Sequence, residues 1–441
     1  MSKPVISTKT TKMLYRNKLN ARQLAVFFCA ITMYLFYYFC KSNLSVATEP
    51  IQQTFGFSSA QFGIILTTAS IVYAAGQFIN GFLSDRIGAK AIFFIGAIGA
   101  IIGNFCFGFS SSLVLFVVTW AIATYFLSMG WAPSMKIVFD WFPQEKWGLY
   151  GGINNAFCFL GSALVTPLAG VCIANFGWKG AFFIPPLFTL VFAIIFLIVV
   201  KNTPRDAGFE VEWANDESLQ KSSSEEKVGR KDYIKAFCNG KMQIGYFCDF
   251  FANMIRWVMV SWIVKILMDS PDIGGFGMAV VTASLVGSFV HWGGAAFSVI
   301  SGWIQDKVFH GNRWQVMVIS FLVGGICIIF LSKGAAILSM PGGTVLLSAA
   351  IFIGGGIIQS LQAPIFNIPA DILGNRLSGT GVGIMNGYGY VGAAFAGVGF
   401  GWLIDTFGSS TAMLVAGALC ICGAILSFML RTPKKSISEK S

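Results

Sequence analysis

Long apolar runs separated by short polar segments dominate the pattern of hydrophobic and polar positions along this chain. A run of about 20 apolar residues is long enough to cross the hydrocarbon layer of a bilayer as an α-helix. The pattern predicts twelve such helices, at residues 24–48, 60–83, 91–110, 113–139, 149–175, 180–200, 242–268, 276–304, 314–333, 345–372, 379–404 and 410–430. We therefore expect an all-α integral membrane protein.

One long polar segment, residues 201–241, interrupts this pattern and leaves six predicted spans on each side. The segment carries eight basic and eight acidic residues and a run of three serines, Ser222–Ser224. The sequence thus predicts a first six-helix bundle over residues 1–200, a linker over 201–241 and a second six-helix bundle over 242–441. The segment has the composition of a solvated linker, and a regulatory docking segment is the alternative.

Composition supports a membrane protein and excludes several other classes. Of the 441 residues, 55% are hydrophobic and only 11% are charged, whereas charged residues make up about a quarter of a soluble globular domain. The ten cysteines lack the spacing of a disulfide framework or a metal site, and with only two histidines in the chain no histidine-based metal site is predicted. The sequence contains no Walker loop and no enzyme signature. We therefore predict neither ATP-driven pumping nor catalysis, and we expect no cofactor.

The formal net charge of +11 comes from basic residues that flank the apolar runs, which is a pattern of membrane topology and not of nucleic-acid binding. Residues 1–22 contain six basic residues and no acidic one, and the run that follows is too long for a signal peptide. We number the connections between successive spans from the N-terminus. The even-numbered connections carry the basic residues Arg86, Lys90, Lys146, Lys307, Arg313 and Arg376. The odd-numbered connections are poor in basic residues, with the exceptions Lys179, Lys265 and Lys333. This asymmetry predicts that both termini and the 201–241 segment are cytoplasmic.

Two cations lie deep inside predicted spans, away from their ends, one in each half of the chain: Lys41 and Arg256. An unpaired charge in the hydrocarbon layer costs at least about 2.5 kcal/mol, so each needs a carboxylate, water or an anionic ligand. We interpret the pair as the floor of an anion-binding cavity. The alternatives are that Lys41 snorkels to the outer surface and that Arg256 forms a structural ion pair with Asp249.

The stretch Gly81–Lys90, GFLSDRIGAK, joins the second and third spans, and Gly302–Lys307 repeats part of it in the second half. Glycines allow a tight turn, and the acidic and basic side chains can pair with charges or helix ends that separate when the bundles move. This stretch resembles the cytoplasmic loop motif of the major facilitator superfamily. The resemblance implies a gating role for Asp85, Arg86, Asp306 and Lys307.

A narrower resemblance covers nearly all twelve spans. The sequence is similar to the organophosphate:phosphate antiporter family, which includes the bacterial glycerol-3-phosphate and hexose-phosphate transporters. The stretches that carry this resemblance are Tyr37–Asn43, Gly130–Pro133 with Lys136, Met254–Trp257, Gly302–Arg313 and Ser378–Gly392. The resemblance implies a substrate site at Tyr38, Lys41, Gln77, Asn154, Arg256, His291 and Tyr390, and adds Lys136 to the gating residues.

Four positions depart from the family pattern. Lys41 stands in place of an arginine, Gln77 in place of a lysine, Phe157 in place of a histidine and His291 in place of a glutamate, whereas Asn154 matches. An ammonium is a point charge and lacks the planar fork with which a guanidinium binds phosphate. His291 is open to two interpretations, an interhelical hydrogen bond or a proton relay.

The resemblance implies an alternating-access carrier in the bacterial inner membrane that exchanges an organic phosphate for inorganic phosphate, and we expect a monomer. One rival is a proton-coupled carrier of a carboxylate, amino acid or siderophore, with the proton on His291 or Asp249. A rival from another class is a membrane sensor of sugar phosphates that signals to a kinase. The loss of phosphate-ligand residues favours the proton-coupled rival, and no sequence feature separates a sensor from a carrier.

Overall fold

The computed structural model describes residues 9–143, 146–209, 211, 234, 236–309 and 312–431. Side chains are described from residue 15 onward, apart from those at positions 78, 82, 85, 148, 306, 335, 375, 376, 378 and 379. Within these ranges every regular element is a helix. The helices form two groups of consecutive elements that face each other.

The first group precedes the polar segment. Its described α-helices are α1 (Lys9–Tyr37), α2 (Asn43–Phe55), α3 (Ser59–Ile87), α4 (Ala89–Gly108), α5 (Leu113–Leu127), α6 (Trp131–Trp141), α7 (Trp147–Phe176) and α8 (Gly180–Val199). Local sequence explains where helices begin and end. Ser58 and Gln61 form a capping box at the start of α3, which satisfies backbone N–H groups that have no partner inside the helix.

The second group follows the polar segment. Its described α-helices are α9 (Gly240–Ser261), α10 (Ile263–Met268), α11 (Val280–Lys307), α12 (Arg313–Leu331), α13 (Gly334–Leu338), α14 (Gly343–Ser360), α15 (Gln362–Phe366), α16 (Ile368–Leu373) and α17 (Asn375–Met429). The long α17 is two helices joined at Gly408, whose φ of +80° is accessible to glycine at little cost. Gly408 therefore separates the eleventh span from the twelfth.

The first and seventh spans are both interrupted. In the first, a 3-10 turn at Tyr38–Cys40 separates α1 from α2, and in the seventh Trp262 separates α9 from α10. Asn104 satisfies freed backbone at the first break, because its Nδ2 donates to the Cys40 carbonyl at 3.0 Å. Asn43 Nδ2 in turn donates to Asn104 Oδ1 at 2.8 Å. Broken helices of this kind are tolerated in a membrane where the protein itself supplies the missing partners.

The described helices account for the twelve predicted spans. Ten of them are long and apolar enough to cross a membrane, and one of these, Thr380–Met429, covers two spans. The remaining span is α9 with α10, which contains Asp249, Arg256 and Lys265 and is less apolar for that reason. The predicted fold class is confirmed. The domain boundaries at residues 200 and 241 stay predictions, since most of the polar segment lies outside the described residues.

Two names for the faces of the molecule are used below. The linker side carries the C-terminal end of α8 and the start of α9. The distal side carries the turns at residues 56–58, 177–179 and 269–279. The halves meet where α3 packs on α17, α7 on α11 and α2 on α10. A large apolar core cluster runs through the distal part and includes residues of both halves, for example Val46 and Trp262.

Candidate functional site

A central cavity lies between the two halves, at the level of the breaks in the first and seventh spans. The space free of protein atoms in the cavity and in its opening to solvent is about 1150 Å³. The first half lines it with side chains from α3, α5, α7 and the α1–α2 break, and the second half with side chains from α9, α11, α14, α15 and α17. A solute bound in this cavity contacts both halves at once.

Lys41 enters this cavity from the break between α1 and α2. Its Nζ lies 4.2 Å from the ring centroid of Tyr73, 5.2 Å from that of Tyr38 and 5.5 Å from that of Trp257. The faces of aromatic rings attract an ammonium and partly replace its lost hydration. The amine thus lies in the cavity and does not snorkel to the outer surface in this structure.

Arg256 enters the same cavity from the middle of α9. Its Cζ lies 5.6 Å from the ring centroid of Trp257, so one indole ring lies against both cations. Among the described side chains, no carboxylate lies within 4.0 Å of the Lys41 amine or of the Arg256 guanidinium. The cavity therefore presents two positive charges that the surrounding protein does not neutralise by direct ion pairs.

Asp249 lies two helical turns before Arg256 on α9 and is fully buried. One of its carboxylate oxygens accepts a hydrogen bond of 2.8 Å from Asn253 Nδ2. The other, Oδ2, has no hydrogen-bond partner among the described residues. The ion pair between Asp249 and Arg256 that the sequence left open is not formed in the described structure.

Hydrogen-bonding groups of the second half complete the cavity wall. His291 from α11 and Gln359 from α14 both line it. Gln359 is held in place by a hydrogen bond of 2.6 Å from its Nε2 to the carbonyl oxygen of Val290. Tyr73 and Tyr390 meet across the two halves, with ring centroids 5.6 Å apart. The cavity thus combines two cations, several neutral polar groups and aromatic walls.

The structure brings most of the residues of the expected substrate site together. Those that line the cavity are Tyr38, Lys41, Arg256, His291 and Tyr390. Gln77 and Asn154 are not among the lining residues. Asn154 is buried, and its Nδ2 donates to Ser134 Oγ at 3.0 Å, which connects α7 to α6. Gln77 lies one helical turn from Tyr73 on α3.

The expected gating residues lie away from the cavity. Arg86 and Lys307 belong to the last turns of α3 and α11, on the linker side, and Lys136 belongs to α6. The side chains of Asp85 and Asp306 lie outside the part of the chain that the structure describes. The gating role of all five stays a prediction.

Several cavity residues were not expected from the sequence. Tyr73, Asn155, Trp257, Gln359 and Gln362 line the cavity. A usable signal existed for the glutamines, because isolated polar side chains within an apolar span face protein or a cavity and not lipid. Tyr73 gave no such signal, since tyrosine is common in membrane helices.

Polar contacts join the halves on the distal side of the cavity. The Asp405 carboxylate accepts hydrogen bonds from the backbone N–H groups of Ser59 and Ala60, at 2.8 and 2.7 Å. Nearer the cavity, Thr67 Oγ1 donates to the carbonyl oxygen of Ala394 at 2.7 Å. Together with the apolar cluster shared by both halves, these contacts close the cavity toward the distal side.

A family model described as Major Facilitator Superfamily matches this chain in two overlapping stretches, residues 27–397 and 242–441. The chain belongs to this superfamily. The match confirms the resemblance that the loop motif at Gly81–Lys90 indicated. The protein is therefore a membrane transport protein by family and fold, and not an enzyme.

Individual relatives indicate a narrower group of proteins within the superfamily. A probable hexose phosphate transport protein of Chlamydia trachomatis is 26% identical over 95% of this chain and 92% of the relative. The membrane sensor protein UhpC of Escherichia coli is 25% identical over 85% of this chain and 84% of the relative. These relatives agree with the predicted resemblance to the organophosphate:phosphate antiporter family.

The fold also matches solved structures. The inward open conformation of the xylose transporter XylE from E. coli superposes with a TM-score of 0.71 over 94% of this chain and 98% of that chain. The two sequences are 17% identical, so this likeness concerns the fold alone. It agrees with the predicted all-α membrane fold.

Proposed function

We propose that this protein carries a small organic anion, an organophosphate exchanged for inorganic phosphate, by alternating access. The observation that carries the proposal is the pair of cavity cations, Lys41 and Arg256, with no described carboxylate within 4.0 Å of either. Two unpaired cations in a membrane-embedded cavity repel each other and are costly to desolvate. A dianion bound between them replaces that repulsion with two attractions.

The position of the two cations relates binding to movement. Lys41 belongs to the first half and Arg256 to the second, so an anion that contacts both draws the halves together. The distal side is already closed by contacts such as Asp405 with Ser59. Closure around the anion followed by opening of the distal contacts would expose the anion to the distal side.

The wider setting follows from the sequence. From the basic residues on the linker side we infer that both termini and the 201–241 segment are cytoplasmic. From the bacterial relatives we infer that the membrane is a bacterial inner membrane. We infer two bundles over residues 1–200 and 242–441 in a monomer, and gating by the residues around Asp85 and Asp306, in the last turns of α3 and α11. The hexose phosphate named for the Chlamydia relative makes sugar phosphates the first solutes to test.

Counterflow in proteoliposomes tests this proposal. Purified protein is reconstituted into vesicles loaded with inorganic phosphate, and uptake of labelled phosphate and labelled hexose phosphate is measured. We expect uptake that requires internal phosphate and persists after a protonophore collapses the proton gradient. Uptake that ignores internal phosphate contradicts exchange. Binding without any transport favours a sensor, the function that the name of the UhpC relative states for that protein.

A second candidate function is proton-coupled transport of an organic anion. Two observations favour it: His291 lines the cavity, and Asp249 is buried without an ion-pair partner among the described residues. In that case uptake would stop when the proton gradient collapses. A His291→Gln variant would then lose proton dependence if His291 carries the proton, whereas Asp249→Asn would lose it if Asp249 does.

A further inference from the structure

Trp257 occupies an unusual position between the two cavity cations. Its ring centroid lies 5.5 Å from the Lys41 Nζ and 5.6 Å from the Arg256 Cζ, and the residue lines the central cavity. Lys41 belongs to the first half and Trp257 to the second, so the indole lies at the junction of the halves. Its position alone is consistent with cation–π packing.

The indole nitrogen makes packing an incomplete explanation. Nε1 of Trp257 is buried and has no hydrogen-bond partner among the described residues. An indole N–H can only donate, and a buried donor without an acceptor is unfavourable. The contrast with Trp262, five residues later, is direct: its Nε1 donates to the carbonyl oxygen of Ala396 at 2.7 Å. The seventh span thus has one indole with a hydrogen-bond partner and one without, among the described residues.

The surroundings of Trp257 specify what would satisfy it. The charged groups against its ring are an ammonium and a guanidinium, which are donors only. A ligand that satisfies all three must supply several acceptor oxygens and negative charge, which is the chemistry of a phosphate, sulfate or carboxylate group. A neutral donor between two cations adds directed binding without adding more positive charge.

We propose that the Trp257 indole N–H is a third ligand of the bound oxyanion, together with Lys41 and Arg256. This assignment rests on the proposed anion site and deepens it. It gives the site an uncharged donor at a fixed position, held by the same helix as Arg256. The loss of the family arginine at position 41 is then offset in part by a donor on α9.

The test separates the N–H group from the ring. Trp257→Phe keeps an aromatic ring beside both cations and removes the donor, and Trp120→Phe makes the same change at another cavity-lining tryptophan. The dissociation constant for inorganic phosphate is measured on purified protein from the phosphate-induced rise in Tm. We expect it to rise tenfold to a hundredfold in Trp257→Phe, as for a lost hydrogen bond to a charged acceptor, and to change little in Trp120→Phe.

A second variant keeps the shape of the indole. Incorporation of β-(3-benzothienyl)alanine at position 257 replaces the N–H with sulfur in a bicyclic ring of nearly the same size. We expect the same loss of phosphate affinity with an unchanged Tm of the ligand-free protein. Wild-type affinity in this variant would overturn the assignment of Trp257.

Arg256→Gln distinguishes this outcome from failure of the proposed function. If Arg256→Gln loses phosphate binding and the benzothienyl variant keeps it, the anion site stands and Trp257 is only a packing residue. If wild-type protein is not stabilised by phosphate, or Arg256→Gln binds as well as wild type, the proposed anion site fails, and the role of Trp257 fails with it.

Discussion

Lys265 of the second half forms a buried ion pair with Glu49 of the first half, with 3.2 Å between Nζ and Oε2. The exposed fractions of the two side chains are only 5% and 14%. Lys265 also pairs with Asp269 at 2.5 Å, and the second oxygen of Asp269 accepts a hydrogen bond of 2.6 Å from Ser409. This network crosses the junction of the halves on the distal side, where it must break when that side opens.

Glu49→Gln is expected to favour opening of the distal side. The change removes the ion pair across the halves, but Lys265 keeps Asp269, so the protein should still fold. Breaking one partner of a buried pair commonly costs several kcal/mol, and here the distal-closed state loses that stabilisation. Pulsed electron paramagnetic resonance between spin labels at Lys179 and Met340, one in each half, would show a longer distal distance. Asp272→Asn is the control, because the hydrogen bond of that carboxylate among the described residues comes from Ser270, two positions away. Equal distances in both variants would contradict the prediction.

Asp405→Asn tests a different distal contact. Asp405 accepts from the first two backbone N–H groups of α3, Ser59 and Ala60, where a negative charge also interacts favourably with the helix dipole. An amide keeps one acceptor and loses the charge. We expect the distal-closed state to lose about 1 kcal/mol, measured with the same pair of labels. A distance distribution identical to that of wild type would show that the cap does not hold the halves together.

The sequence predicted the fold because membrane spans follow from local composition. Among the described spans, only the one with Asp249, Arg256 and Lys265 is less apolar than a typical membrane helix. The sequence still predicts it as a span, because its charges lie far apart along a long apolar run. The two cavity cations are also predictable from local sequence. Charge inside a hydrocarbon layer is a strong signal that needs no knowledge of the tertiary structure.

Contacts between halves could not be predicted in this way. The pairing of Lys265 with Glu49 joins residues more than 200 positions apart, and nothing in either local sequence names the partner. Asn43 belongs to the family motif at the first helix, but the structure shows it bonded to Asn104 and not facing the cavity. The unsatisfied N–H of Trp257 likewise becomes visible only when the neighbours of each tryptophan are known.

Arg256→Lys is expected to keep the fold and to weaken phosphate binding at least tenfold. Lysine keeps the charge but loses the planar fork that binds an oxyanion through two parallel hydrogen bonds. Lys41→Arg should be tolerated, since a guanidinium also stacks on the rings of Tyr73 and Trp257 that surround Lys41. Phosphate-induced stabilisation of purified protein measures both effects.

Asp249→Asn provides the comparison for that experiment. If Arg256 served only as a structural partner of Asp249, Arg256→Lys would be nearly silent and Asp249→Asn would damage folding. The structure shows no such ion pair among the described residues, so we expect the opposite pattern. Normal phosphate binding in Arg256→Lys, together with a poorly folded Asp249→Asn, would exclude Arg256 as a main ligand of the anion.

A cysteine at position 223 tests the predicted topology. The basic flanks predict that the 201–241 segment is cytoplasmic, and Ser223 lies near its middle. In a variant without the native cysteines, Ser223→Cys should resist a membrane-impermeant thiol reagent added to intact cells and react once the cells are opened. Thr54→Cys, at the exposed distal end of α2, should react in intact cells. The reverse pattern would invert the assignment of the two sides.

Gly397→Ala should impair closure of the distal side by steric conflict. Gly397 on α17 lies against α3, where an added Cβ would lie 2.4 Å from Thr67 Oγ1 and 2.8 Å from the carbonyl oxygen of Gly63. Neither the backbone atom nor the bonded hydroxyl can move away cheaply, so the helices must separate. Overpacking of this kind commonly costs about 1–3 kcal/mol. Here it destabilises only the distal-closed state, in which the two helices are in contact.

Gly399→Ala is a closely matched control for this last change. It lies two residues further along the same helix, and the nearest atom to an added Cβ is 4.0 Å away, on Phe395. Alanine favours helix over glycine by about 1 kcal/mol at both positions, so that contribution cancels between the two variants. With labels at Lys179 and Met340, we expect a longer distal distance and slower phosphate exchange only for Gly397→Ala. Identical distances in the two variants would mean that the contact of α3 with α17 is not required for the distal side to close.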